Sequence, residues 1–341
     1  MTQPPEVVIV VLNYNGLEDT RRCLESLGRV SYPRCTVVVV DNGSAEDPEP
    51  AVRAIMPAAV VLKNGGNLGY AGGNNRGLAL ALARGAEFIL VLNNDTIVAP
   101  DIIECLLSAF AADPGLAVAG PVVNHLDEPA AVMTEGVRFN RGPGPTFFTP
   151  VAAGAGLDEA PSLVPVDIVN GCCMMLRASA LGRIGVFDEA LFIVHEESDL
   201  CLRALERGFR CAVVGRTLVW HKGSSSFTRT GRQLQRYFDT RNLLYLLRRH
   251  RRLVGTRSLL PSMWQYLRYA YYRYCHELEA GSRAAADAVV EGLVDALANV
   301  TGPYDPGRRR RSGPVRALFH LGRGISRVRR RGRLRAANGA V

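Results

Sequence analysis

Polar side chains that could bind a ligand or move a proton follow short apolar segments at several points in the sequence. A carboxylate or amide just beyond a buried strand can accept or donate hydrogen bonds, and carboxylate oxygens suit small divalent cations. A glutamate can also take a proton from a hydroxyl group. The residues of this kind are Asn13, Asp41, Asn94, Asp95, Glu196, Glu197 and His221.

The segment Asp41-Asn42-Gly43-Ser44 follows the apolar run TVVVV. Asp41 could accept a hydrogen bond from a ring N–H or a ribose O–H, and Gly43 would let the backbone approach a ligand closely. The same residue types also favour turns without any ligand. Both interpretations stay open at this point.

The segment Asn93-Asn94-Asp95-Thr96 directly follows FILVL, so Asp95 is predicted at the edge of a sheet. Mg²⁺ and Mn²⁺ take few protein carboxylates and share their coordination with substrate phosphates. A metal there would neutralise charge on a departing diphosphate. The alternative is a turn or helix cap that leads into Pro100-Asp101.

Acidic residues are dense between Asp188 and Asp199, in a pattern typical of a loop that opens a helix. A helix N-terminus favours acidic residues, so capping is one explanation. The adjacent Glu196 and Glu197 exceed what a cap needs, which indicates a general base. His221 ends another apolar run. A single histidine is more often structural, but this position also favours contact with a metal or phosphate.

Apolar, β-branched segments alternate with helical patterns through the first third of the chain. This alternation predicts an α/β fold with a parallel sheet covered on both faces, and ligands bind such sheets at the carboxyl ends of the strands. The predicted strands are 7–12, 36–40, 60–62 and 88–92, with a glycine-rich loop at 64–73 and helices at 74–84 and 101–112.

The rest of the chain is less regular. Residues 142–165 are rich in Gly, Pro and Ala and predict a long loop, and periodic apolar residues resume at 166–219. Helices are predicted at 232–250 and 263–279, with loose structure after 302 and a short amphipathic helix near 315–328. We therefore expect a catalytic domain at 1–228, divided near 120, a helical extension at 229–300 and a basic, flexible tail at 301–341.

Seven stretches, in this order, resemble the inverting glycosyltransferases of family 2, which have the GT-A fold, and in particular the bacterial rhamnosyltransferase-like branch. Together they cover roughly residues 6–227. They read VVIVVLNYNG, VVVVDNGS, NGGNLGYAGGNNRGL, FILVLNNDT, NGCCMMLR, GVFDEALFIVHEESDLCLRALERGF and VWHKGSSSF.

This resemblance implies an abbreviated Rossmann-like sheet with a helical extension, and it implies roles for individual residues. Glu197 would be the base, beside Glu196, and Asp95 with His221 would contact Mg²⁺ or Mn²⁺. Nucleotide binding would fall to Asn13, Asp41, Gly43, Asn67, Gly69, Asn75 and Asn94, and support of the acceptor loop to Gly171, Asp199, Arg203 and Trp220.

Three departures from the family pattern are visible. Asp95 is the single carboxylate of the usual DxD metal motif, which implies looser metal binding. Asn42 stands where many relatives have Asp. Glu197 replaces the usual Asp, so the reach of the base is one methylene longer.

The net charge of +9 is concentrated at the C-terminus, where residues 301–341 hold twelve Arg and one Asp. Such a tail could contact an anionic membrane, bind nucleic acid nonspecifically, or be a solvated end.

Eight cysteines without a CxxC pair indicate a reducing compartment. We found neither a secretory signal nor an apolar run of about 20 residues. We expect a cytoplasmic protein with peripheral membrane contact as one option.

The predicted reaction is sugar transfer, with inversion, from a dTDP or UDP donor such as dTDP-rhamnose or a UDP-sugar. The acceptor would be a hydroxyl of a glycan, a lipid-linked glycan or a small molecule, and nucleic acid is not an expected partner. The alternative is a non-catalytic protein that binds a sugar nucleotide or a nucleic acid. A dinucleotide oxidoreductase is disfavoured because no GxGxxG follows the first strand.

Overall fold

The computed structural model describes residues 3–140, 147–152, 162–223, 231–253 and 260–323. The chain divides into two compact units, Met1–Ser225 and Ser226–Val341. We describe each unit by itself.

The first unit is built on a ten-stranded mixed sheet whose β-branched central strands are buried on both faces. Its order is β10-β12-β6-β11-β4-β1-β2-β3, with β5 beside β12 and β7 beside β6. A separate pair joins β8 and β9. The strands are β1 (Val7–Asn13), β2 (Cys35–Asp41), β3 (Val60–Lys63), β4 (Phe88–Asn93), β5 (Thr96–Val98), β6 (Leu116–His125), β7 (Val132–Thr134), β8 (Val137–Phe139), β9 (Phe148–Pro150), β10 (Leu163–Val166), β11 (Cys173–Arg177) and β12 (Arg210–His221).

Strand register brings the predicted polar residues to one edge of this sheet. The four strands β3-β2-β1-β4 run parallel, and Asn13 stands opposite Asp41 while Leu12 stands opposite Asn93. Strand β12 pairs with β5, which places His221 opposite Thr96. The carboxyl ends of strands distant in sequence therefore lie together, as the α/β prediction requires.

Six helices flank the sheet within the described residues: α1 (Leu17–Leu27), α2 (Glu49–Ile55), α3 (Gly69–Ala83), α4 (Ile102–Ala112), α5 (Ala178–Ile184) and α6 (Glu196–Glu206). The predicted α/β fold is confirmed.

Two local predictions were wrong. Helix α3 begins at Gly69 and not at residue 74, so part of the predicted glycine-rich loop is helical. Strands β9 and β10 lie within the predicted loop 142–165, because β10 pairs antiparallel with β12 and this tertiary pairing outweighs local composition. Residues 141–146 and 153–161 of that segment lie outside the described residues.

All eight cysteines are free, as the sequence predicted. Cys23 and Cys173 lie in the core beneath the sheet. Burial raises the pKa of the Cys23 thiol to about 12, so this side chain is a neutral packing group at physiological pH.

The second unit contains helices α7 (Arg232–Arg249), α8 (Leu260–Glu279), α9 (Arg283–Leu297) and α10 (313–323). The buried Asp295 connects α9 to α7 and to the segment before α10, because it accepts hydrogen bonds from Tyr237 (2.7 Å), Arg310 (2.8 Å) and Arg308 (3.2 Å). The first part of the predicted tail is thus packed against α9, and residues 324–341 lie outside the described residues. None of the helices in the described ranges has the length and apolarity to cross a bilayer.

Candidate active site

The ends of β1 and β2 form a buried polar pair. The Asn13 amide donates to Asp41 Oδ1 (3.2 Å) and to Ser44 Oγ (3.1 Å), and the Ser44 backbone N–H donates back to Asp41 (3.3 Å). Gly43 turns the chain here with φ of 80°, and a Cβ at this position would lie 2.8 Å from the Gly66 backbone. Only glycine fits this turn without displacing the neighbouring loop.

Asn94 connects this pair to the end of β4. Its amide donates to Thr20 Oγ1 (2.9 Å) and to the Gly16 carbonyl (3.1 Å), and Thr20 donates to Asn13 Oδ1 (2.9 Å). The predicted residues Asn13, Asp41 and Asn94 therefore belong to one hydrogen-bonded network. Thr20 completes it from helix α1.

Asn42 points away from this network and fixes the next loop. Its amide nitrogen donates to Asn67 Oδ1 (3.0 Å) and the Gly69 carbonyl (3.0 Å), while its oxygen accepts from Asn64 Nδ2 (3.1 Å) and the Leu68 N–H (3.1 Å). All four hydrogen-bonding positions of the buried side chain are used. An aspartate could not supply the two donors, which explains the departure from the family pattern in physical terms.

Asp95 and His221 form the candidate metal pair. His221 Nε2 lies 3.0 Å from Asp95 Oδ1, and the Lys222 backbone N–H donates to the Asp95 carbonyl (3.0 Å). Within the described residues no three His, Cys, Asp or Glu side chains converge on one point. One carboxylate and one imidazole are too few ligands to coordinate a metal ion by protein side chains alone. They fit Mg²⁺ or Mn²⁺ that shares its coordination with phosphate oxygens.

Lys222, which the sequence analysis did not single out, lies beside this pair. Its ammonium group contacts Asp19 Oδ1 of α1 at 2.8 Å while remaining half-exposed. The end of β12 and the residue after it therefore carry an imidazole and an ammonium in succession. Both can meet a diphosphate.

The loop 187–195 is held against the start of α3. Asn75 donates to the Phe187 carbonyl (2.9 Å) and accepts from its N–H (3.0 Å), and the Ala71 N–H donates to the Phe192 carbonyl (3.1 Å). A Cβ on Gly69 would come within 2.3 Å of that carbonyl oxygen. Asn75 and Gly69, predicted to bind nucleotide, are thus engaged in positioning this loop.

Three non-glycine residues of this loop adopt left-handed backbone conformations: Phe192 (φ 63°), Val194 (φ 72°) and His195 (φ 75°). Such conformations cost roughly 1–2 kcal/mol for each residue with a Cβ. The strain is concentrated immediately before Glu196, and strained backbone of this kind is common at functional sites.

Helix α6 begins with the two glutamates that were predicted to be catalytic. Glu197 is half-buried and accepts a hydrogen bond from Ser198 Oγ (2.9 Å). Glu196 is only 5% exposed, and its Oε2 atom has no hydrogen-bond partner among the described residues. Burial first, and then the charge of Glu197, raise the pKa of Glu196 well above its ordinary value.

Gly171 lies beside Glu197, the predicted base. A Cβ at Gly171 would lie 3.3 Å from Glu197 Cβ, and the Gly171 carbonyl accepts a hydrogen bond from Tyr70 Oη (2.5 Å). Tyr70 also packs edge-on against Phe187 at 5.8 Å between ring centroids. It therefore connects the loop before α6 with the backbone beneath Glu197, a role no local pattern indicated.

The remaining predicted support residues stabilise this frame. Arg203 contacts Asp199 (2.7 Å) within α6 and donates to the carbonyls of Ile184 and Val186, so the buried ion pair fixes α6 to the segment after α5. Trp220 donates a hydrogen bond to the Pro129 carbonyl (3.2 Å).

The fold places this chain in a known structural class of proteins. The chain resembles the solved structure of GalNAc-T7 with UDP, GalNAc and Mn²⁺ with a TM-score of 0.52 and 14% identity, over 64% of this chain and 44% of that one. At this identity the likeness shows the fold alone, which is that of a GT-A glycosyltransferase.

The sequence comparisons define the family. The family model "Glycosyltransferase like family 2" matches residues 4–240, and the chain belongs to that family and is a glycosyltransferase of its rhamnosyltransferase-like branch. It is 29% identical to the low-salt glycan biosynthesis hexosyltransferase Agl10 of Haloferax volcanii, over 71% of this chain and 75% of that protein. It is 28% identical to the N-acetylglucosaminyl-diphospho-decaprenol L-rhamnosyltransferase of Mycobacterium tuberculosis, over 66% of this chain and 77% of that protein.

Proposed function

We propose that this glycosyltransferase moves a sugar, with inversion, from a dTDP or UDP donor such as dTDP-rhamnose to an acceptor hydroxyl. The observation that carries the proposal is the contact between Asp95 and His221 (3.0 Å) at the strand edge that also holds Asn13 and Asp41. A carboxylate, an imidazole and a network of amides at one edge suit a substrate that combines a base, a ribose and a diphosphate.

The Asn13–Asp41 pair is the proposed site for the nucleoside. Asp41 is buried and already fixed by Asn13 and Ser44, so it can accept from a ring N–H or ribose O–H without reorganisation. Asn94 joins the nucleoside end to the metal end, because Asp95 is its neighbour in the chain.

Asp95 and His221 would hold Mg²⁺ or Mn²⁺. When bound, the cation would neutralise charge that develops on the diphosphate. Lys222 adds a fixed positive charge next to His221, and its contact with Asp19 keeps its position.

Glu197 is the proposed general base. The acceptor oxygen forms a bond to the anomeric carbon while the bond from that carbon to the diphosphate breaks. The diphosphate leaves with the electron pair, and Glu197 takes the acceptor proton. Attack opposite the leaving group inverts the anomeric configuration.

Glu196 has a different part in this proposal. Burial and the neighbouring Glu197 raise its pKa well above the ordinary value, which favours its neutral form, and its buried Oε2 atom has no hydrogen-bond partner among the described residues. A neutral carboxylic acid can donate a hydrogen bond to a substrate oxygen. The two adjacent glutamates thereby serve as one base and one donor.

The acceptor is proposed to be a lipid-linked glycan, with a free glycan or small molecule as alternatives. The support is the similarity to the mycobacterial L-rhamnosyltransferase, whose acceptor is N-acetylglucosaminyl-diphospho-decaprenol.

Donor binding gives the first test. Thermal shifts measured with UDP, dTDP and GDP, with and without Mn²⁺, should show metal-enhanced stabilisation by UDP or dTDP. Asp95→Asn should remove the Mn²⁺ enhancement, and Asp127→Asn, an exposed carboxylate outside the site, should retain it. Stabilisation by none of the three nucleotides would contradict the proposed donor class.

A further inference from the structure

The second unit exposes an aromatic and basic stripe that the transfer reaction does not use. Trp264 and Tyr272 of helix α8 are 66% and 65% exposed, among the most exposed large apolar side chains of the described residues. They are eight residues apart and thus share a face of the helix, and exposed Arg268 lies between them. We define Trp264, Arg268 and Tyr272 as the α8 stripe.

Helix α10 adds aliphatic groups in the same unit. Its residues Leu318 and Leu321 are 66% and 64% exposed. The helix is anchored to α8 because Phe319 packs against Tyr271 and Tyr274 at 5.4 and 5.3 Å between ring centroids. Each of the two helices, which contact each other through Phe319, thus leaves two large apolar side chains exposed, and clustered exposed apolar groups mark interaction surfaces.

The charge of the second unit indicates which kind of partner this surface would bind. Residues 226–341 contain 24 Arg, no Lys and 7 Asp or Glu, whereas residues 1–225 contain 17 Lys or Arg and 25 Asp or Glu. Helix α8 has no acidic residue before Glu277, and Glu277 is buried against Arg236 (2.6 Å). Between Trp264 and Tyr272 the α8 stripe therefore presents aromatic rings and a cation without a carboxylate, and the exposed Glu279 follows only at the end of the helix.

We infer that the α8 stripe, with Leu318 and Leu321, docks on an anionic lipid bilayer. Trp and Tyr are the residues that prefer the interface between lipid headgroups and acyl chains, and Arg is attracted to anionic headgroups. Leucines add apolar area that can enter the acyl region. Two signals of this kind are what stable peripheral binding needs.

Other partners fit these residues less well. A second copy of the chain would bring one strongly basic unit against another, which charge repulsion opposes. A single-stranded nucleic acid could stack on Trp264 and Tyr272, but it offers no apolar environment for Leu318 and Leu321.

Vesicle flotation of the full chain tests this inference without donor or acceptor, so the result is independent of the proposed reaction. Binding should occur with phosphatidylcholine vesicles that contain phosphatidylglycerol and should be weak without it. The double substitution Trp264→Ser with Tyr272→Ser should lower the partition coefficient on the order of tenfold or more. Leu297→Ser, which removes an exposed apolar side chain at the end of α9, should bind like the parent.

Arg268→Glu provides a second variant, which should lose binding only to the anionic vesicles. Tryptophan fluorescence shows whether the α8 stripe itself enters the bilayer. In a Trp220→Phe background Trp264 is the remaining tryptophan, and its emission should shift to shorter wavelength on anionic vesicles. Equal binding by all variants, or no spectral shift, would overturn the inference. So would tighter binding to single-stranded DNA than to the vesicles, or dimerisation that the double substitution abolishes.

Discussion

At the ends of β1 and β2 the polar side chains are paired with one another, whereas at the start of α6 a buried carboxylate oxygen has no partner within the described residues. The first region has Asn42 with all four hydrogen-bonding positions used. In the second region, three of the four residues 192–195 have left-handed backbone conformations, and two adjacent glutamates follow them.

The difference concerns what each region must do. A binding edge gains affinity when its groups are already fixed, because ordering them on binding costs free energy. A catalytic acid or base needs a shifted pKa, and burial beside a like charge provides it at the expense of stability. Substitutions in the two regions should therefore change different measured quantities.

The largest effect is expected for Glu197→Gln. Loss of the base should lower the rate of transfer by about 10²–10⁴-fold, while the affinity for the nucleotide stays within about twofold of the parent. Transfer assays and calorimetric titration with dTDP or UDP measure the two quantities. Glu206→Gln, at the other end of α6, is the matched control and should leave both unchanged. Substantial turnover by the Glu197 variant would remove the assigned role.

Asn42→Asp should lower the stability of the protein. The substitution removes two buried donors and leaves Asn67 Oδ1 and the Gly69 carbonyl without them, at a cost of about 2–4 kcal/mol in free energy of unfolding. Asn64→Asp removes one donor to the same side chain and should cost about half as much. Denaturant titration measures both. Equal stability of Asn42→Asp and the parent would contradict the network.

Glu196→Gln should change the pH dependence of stability. Folding raises the pKa of Glu196 above its ordinary value of 4.5. The neutral carboxyl therefore contributes fully to the free energy of unfolding below pH 4.5, and this contribution is lost as the pH rises through the raised pKa. The glutamine variant has no such loss, so its melting temperature relative to the parent should increase with pH over that interval. A constant difference across the interval would contradict a neutral Glu196.

Val194→Gly should give the smallest effect, with opposite signs for stability and rate. Glycine relieves the left-handed strain at Val194, but it also adds freedom to the unfolded chain, so the net gain should be at most about 1 kcal/mol. The rate should fall because the loop before Glu196 becomes less fixed. Val186→Gly, at a position without positive φ, should only lose stability. Lower stability of the Val194 variant would argue against stored strain.

The sequence predicted the parallel half of the sheet well because buried β-branched runs have few alternatives to a central strand. It also predicted that Asn13, Asp41 and Asp95 share an edge, since each follows such a run. It could not predict the Tyr70 contact with Gly171, which joins residues 101 positions apart. Helix α3 starts earlier than predicted because Gly69 packs against Phe192, another contact that local composition does not encode.

The turn after β4 has a consequence for how the chain can vary. Asn93 approaches His221 Nε2 (3.4 Å), Asn94 bonds to Thr20 on α1, and Asp95 returns to His221. Successive residues thus contact different elements at this edge of the sheet. One residue inserted between Asn94 and Asp95 would separate the proposed nucleoside site from the proposed metal site, whereas a change of residue type would weaken only one of them. The length of this turn is therefore constrained more tightly than its composition.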